Sequence, residues 1–111
     1  GVLADANHLL DPKETGVAEP ENPRRHLSEF RLKRMEKLLN ERKPLNVEKM
    51  QEILKDHEHQ PQSLCRHRDD SLPDSQHTIT KTAMIMDLEE RKMWVTDGQP
   101  CKAEFEKFSL N

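Results

Sequence analysis

Apolar residues in this chain fall into two stretches of helical spacing followed by two of alternating spacing, with polar tracts between them. From Leu27 to Asn40, Leu27, Phe30, Met35, Leu38 and Leu39 gather on one side of a 3.6-residue repeat, which predicts a helix. Asn22 before Pro23 and Ser28 each offer a start for it. Arg31 and Arg34 follow Leu27 and Phe30 by four and therefore sit inside the apolar stripe. One account lays their methylene stems along the core and ends them on an acidic partner. The other makes one of them an anion anchor facing a pocket or a second chain segment. Beyond Pro44, Asn46 is a good cap for a second helix running to about His57, with Val47, Met50, Ile53 and Leu54 on one face.

From Thr78 the texture changes to alternation. Thr78, Ile79, Thr80, Thr82, Ala83 and Ile85 precede Met86-Asp87, and Lys92 to Thr96 follow a polar Leu88 to Arg91 turn, which predicts a β-hairpin. Asp97-Gly98 with Pro100 closes the second strand, and Ala103 to Leu110 forms a third short strand or a docked tail. At the other end, Val2 to Ala4 reads as the end of a strand that begins outside the sequence. Residues 11–22, with Pro12, Gly16 and Pro20, read as an exposed loop. The expected class is α+β, two helices on a short antiparallel sheet. Met84, Met86, Met93 and Trp94 put apolar surface on both sheet faces, so one helix layer is not enough and a second sheet is implied.

Composition sharpens that point. Of 111 residues, 32% are hydrophobic and 35% charged, so a lone domain has little apolar surface to offset chain entropy and its independent stability is doubtful. The net charge of -3 is spread along the chain, giving no broad positive field for nucleic acid or an anionic membrane. No apolar run approaches a membrane span, and Asp5 interrupts any signal-peptide core. The chain reads as soluble, with a cytoplasmic setting slightly favoured and the compartment otherwise open. The two cysteines, Cys65 and Cys101, are expected as free thiols.

The candidate chemistry lies in Asn7-His8 and in Ser63-Leu64-Cys65-Arg66-His67. With Ser28-x-x-Arg31-x-x-Arg34-Met35-Glu36-x-Leu38-Leu39 and the hairpin Met86-Asp87-Leu88 to Trp94-Val95 followed by Gly98-x-Pro100-Cys101, these pieces resemble the acyl-coenzyme A:6-aminopenicillanic acid acyltransferase family, in the same order. The resemblance implies an N-terminal-nucleophile hydrolase with an αββα sandwich, made as a precursor that cuts itself before a cysteine. This chain would be its C-terminal portion, and its partners would be the N-terminal remainder carrying that cysteine and a small-molecule amide or acyl-coenzyme A substrate. By the same resemblance Asn7 is the oxyanion donor and Arg66 gives electrostatic support at the site. Ser63 is placed near the substrate, and no cofactor is expected. The family commonly has threonine where Ala6 precedes Asn7, which removes a hydroxyl that would orient the amide.

Plainer readings stand beside these roles. Asn7 could cap a turn with its own backbone, Arg66 could pair with Asp69 or Asp70, and Ser63 could simply start a turn after Pro61. Cys65 suits a small buried packing residue. Two alternatives to catalysis also remain: a non-catalytic interaction module, and a small metal-binding domain using His57, His59, Cys65 and His67. Those four straddle a predicted helix end without a Cys-x-x-Cys or His-x-x-x-His element to close a tetrahedron, so no metal ligands are assigned.

Overall fold

A computed structural model describes Ala4, Gly16 and residues 25–110. Asn7, His8, the Asn22 cap, the strand end before Ala4 and the loop at 11–22 apart from Gly16 lie outside the described residues. Helix α1 covers Arg25–Glu41 and helix α2 covers Val47–Leu54. A single 3-10 turn, Asp74–Gln76, precedes strands β1 (Met84–Asp87), β2 (Lys92–Thr96) and β3 (Phe105–Ser109). The strands form one antiparallel sheet in the order β1-β2-β3, so the class is α+β as the pattern predicts. No helix among the described residues is long and apolar enough to cross a membrane.

Hydrogen bonds account for both ends of α2. The Asn46 side chain accepts the Lys49 N–H at 2.8 Å, satisfying one of the donors that every helix N-terminus leaves unpaired. α2 stops at Leu54, short of the predicted His57. There the Lys55 N–H bonds the Glu52 carbonyl and the Asp56 N–H the Ile53 carbonyl, each three residues back, while the carboxylate and carbonyl of Asp56 are engaged elsewhere. The Asp56 carboxylate takes a two-pronged contact from Arg34, Nε to Oδ2 at 2.9 Å and Nη2 to Oδ1 at 2.8 Å, while its carbonyl accepts the Cys65 N–H at 3.0 Å. Tertiary bonds thus end the helix before its sequence pattern does.

The hairpin follows expectation, with Ile85 opposite Trp94 and Asp87 opposite Lys92. The Asp87 Oδ1 accepts the Glu90 N–H at 3.0 Å, which closes the turn. The alternating run from Thr78 to Ala83 is not strand. Its bonds mix main chain and side chain: the Thr96 N–H donates to the Ala83 carbonyl at 3.0 Å and the Gly98 N–H to the Lys81 carbonyl at 2.9 Å, whereas the Ala83 N–H donates to the Thr96 hydroxyl at 2.8 Å and Thr82 Oγ1 donates to the Thr96 carbonyl at 2.7 Å. Regular strand therefore begins only at Met84, because hydroxyls take the Ala83 N–H and the Thr96 carbonyl that would otherwise pair with each other.

The core is small. Leu38 and Leu39 of α1 and Ile53 of α2 are buried together, with Ala4, Met35, Met50 and Leu64 packed against them. α2 also lies against β1. The register sorts the sheet into two faces: Ile85, Trp94, Thr96 and Phe105 on one, and Met84, Met86, Met93, Val95 and Phe108 on the other. On the first face Ile85 and Thr96 are buried, whereas on the second Met84, Met86 and Phe108 are 48%, 63% and 51% exposed. Among the described residues, apolar side chains on one sheet surface are thus left facing solvent.

Candidate functional site

The Ser63 to His67 turn is fastened from several directions. Ser63 is fully buried and its hydroxyl donates to the Cys65 carbonyl at 2.6 Å, so it braces its own turn. Arg66 ties the turn to the approach of β1 through its main chain. Its N–H donates to Thr80 Oγ1 at 2.9 Å and its carbonyl accepts the Thr80 N–H at 3.1 Å. The Gln99 side-chain amide donates to the same carbonyl at 2.9 Å, joining the turn to the loop after β2. That loop reverses at Gly98, whose φ of +117° is strained for any L side chain. The reversal carries Pro100 into the interior and Cys101 back toward the turn.

The guanidinium of Arg66 points elsewhere than the plain reading expected. Nη1 donates to Thr78 Oγ1 at 2.8 Å, and Nε is buried with no acceptor among the described residues. Asp69 is engaged by Ser71 and Gln62, and Asp70 by Arg68. Of the two stripe arginines, Arg34 reaches its acidic partner Asp56 across the helix pair, with side-chain exposures of 20% and 15%. The Arg34 hydrogen bond holds the Asp56 carboxyl below the usual carboxylate range, in spite of burial. Arg31 is half-buried on α1 and takes part in an interaction of its own.

The fold also collects four groups that the sequence keeps apart. One ligand atom each from His57, Cys65, His67 and Cys101 lies within 4.8 Å of every other. His67 Nε2 is 3.0 Å from His57 Nε2, 3.3 Å from Cys101 Sγ and 3.6 Å from Cys65 Sγ. Both cysteines are free thiols. Burial pushes the Cys65 thiol up to about 11, and burial followed by the charges of His57 and Lys102 depresses His67. His59, grouped with this set by sequence proximity, instead places its ring 4.4 Å from that of Phe30. Cys101 was invisible as a member because 34 residues separate it from His67. The one available signal was its position just past a tight Gly-x-Pro reversal.

The described residues form a two-helix, three-stranded α+β unit with a buried arginine donor beside a braced turn. The chain belongs to the acyl-coenzyme A:6-aminopenicillanic acid acyl-transferase family, whose model matches residues 1–102. No curated protein matches the chain. Membership assigns acyl-transferase or hydrolase chemistry to it.

Proposed function

We propose that this chain is the C-terminal portion of a cysteine N-terminal-nucleophile hydrolase or acyltransferase acting on a small acylated amine or aminoacyl amide. The observation that carries this reading is the bare sheet face of Met84, Met86 and Phe108, opposite the face that α2 covers. In a sandwich of this family's type, that face packs against a second sheet, supplied by the N-terminal remainder together with its cysteine. The cysteine thiolate adds to the substrate carbonyl, the amine leaves with a proton, and water or an acceptor amine then takes the acyl group from sulfur.

Asn7 is assigned the oxyanion, for which a neutral carboxamide about 3 Å from the developing charge is suited. Ala4 and Leu64 pack on the same core cluster. Asn7 lies three residues beyond Ala4 and Arg66 two beyond Leu64, so tethers of at most about 11 Å and 7 Å separate them from one shared anchor. Arg66 supplies a permanent positive charge that lowers the pKa of a neighbouring thiol, and its Nε lacks an acceptor among the described residues, as a donor awaiting a substrate or precursor oxygen would.

The test is expression with the upstream portion. The expected result is a self-cut before a cysteine and release of amine from an aminoacyl amide or of thiol from an acyl thioester. Asn7→Ala should then lower kcat by about 10²–10³-fold with KM little changed. A longer protein that stays uncut and turns over neither substrate would contradict the proposal.

A further inference from the structure

We propose that His57, Cys65, His67 and Cys101 bind one zinc-class divalent cation as a closed structural site. The first argument is geometric. A tetrahedral zinc with Zn–N near 2.0 Å and Zn–S near 2.3 Å separates its ligand atoms by about 3.3–3.8 Å. Two of the three distances to His67 Nε2, 3.3 and 3.6 Å to the sulfurs, fall in that range, the 3.0 Å to His57 Nε2 is a little short of it, and all four atoms lie within 4.8 Å of one another, so small side-chain adjustments close the tetrahedron.

The second argument is one of valence. A single ring nitrogen offers either one proton or one lone pair. His67 Nε2 nonetheless faces another ring nitrogen and two sulfurs at once. Hydrogen bonding serves one of those three contacts, whereas a cation at the centre serves all of them. Binding releases both thiol protons to solvent and leaves two thiolates and two neutral imidazoles around a dication, so the centre is uncharged and suited to a half-buried position.

The donor set selects the metal class. Two sulfurs and two imidazoles favour zinc over magnesium or calcium, and four protein ligands leave no open position for substrate, which makes the role structural. Neighbouring carboxylates do not compete, since Asp56 is held by Arg34 and Asp69 by Ser71 and Gln62. The ion would join the segment after α2, the Ser63 to His67 turn and the loop after β2. It would thereby fix Arg66, which stands between two of its ligands. The inference is independent of the catalytic proposal, because it needs neither Asn7 nor a nucleophile.

The test uses the full protein, reduced, loaded with zinc chloride or cobalt chloride and dialysed. The expected result is one retained metal ion per chain and, for cobalt, the intense visible absorption of a tetrahedral thiolate complex. Thiol reagents should reach neither cysteine until a chelator is added. Cys101→Ser, at an exposed position, should weaken affinity by about 100-fold or more, while His59→Ala should leave it unchanged. A reduced protein that takes up no zinc and gives no cobalt spectrum would overturn the proposal. So would a Cys65–Cys101 disulfide whose reduction yields no metal uptake, or equal metal loss in His59→Ala. Should Cys101→Ser fail to fold, the cobalt spectrum and thiol protection of the unsubstituted protein still decide.

Discussion

The junction around Cys65 and the outer face of the sheet treat their side chains in opposite ways. At the junction, Ser63 bonds Cys65, Arg66 bonds Thr80 and Gln99, and Thr96 bonds Ala83, while Ser63 and Cys65 have no exposure at all. On the outer face, Met86 is 63% exposed and Phe108 51%, with no packed layer above them among the described residues. A chain with so few apolar residues has placed a good share of them where, by itself, they stabilise nothing. That difference teaches where the described residues satisfy one another and where they do not: the turn is bonded within itself, and the outer sheet face is the surface that the proposed second sheet would cover.

Ile53→Ala should break the comparison most sharply. Ile53 is 1% exposed at the centre of the core, so its truncation should cost about 3–4 kcal/mol by denaturant unfolding. The same truncation at Met86 should stay within about 0.5 kcal/mol in the chain alone. Next comes Asp56→Ala, which strands a largely buried Arg34 and should cost about 2–3 kcal/mol. This pair also sets a pH dependence. Because the folded Asp56 carboxyl lies below its unfolded value, its contribution is fully present above about pH 4. It is lost as pH falls through the depressed native value, so an acid titration of unfolding should be steeper in the parent than in Asp56→Asn.

Thr96→Val should cost about 2 kcal/mol, since it leaves the Ala83 N–H and the Gly98 carbonyl without the hydroxyl they share. Near-neutral behaviour would mean that the approach to β1 repairs itself by ordinary ladder pairing. The smallest effect is expected at Asn46→Ala, about 1 kcal/mol for the lost helix cap, read from the shift in unfolding midpoint.

What the sequence made legible was whatever depended on local periodicity. The stripe from Leu27 to Leu39, the Asn46 cap and the Leu88 to Arg91 turn are short-range signals that the fold follows, and of the two readings of Ala103 to Leu110, strand or docked tail, the fold takes the strand, at Phe105–Ser109. What it hid depended on bonds between distant residues. α2 ends early because Arg34 and Cys65 claim Asp56, and β1 starts late because the Ala83 N–H goes to the Thr96 hydroxyl and not to its carbonyl. The four-atom cluster was half legible: His57, Cys65 and His67 stood out, but the wrong histidine filled the set until the Gly98 reversal brought Cys101 in. For the proposed catalytic roles the signal was a resemblance in motif order, and Asn7 lies outside the described residues.

The most direct test of the account is oxidation footprinting of Met84, Met86 and Met93 in this chain alone and in the protein that includes its upstream portion. The account predicts ready oxidation of Met84 and Met86 in the chain alone and strong protection of both once the upstream portion is present. Equal reactivity in the two forms would contradict it, because the outer sheet face would then have nothing that covers it.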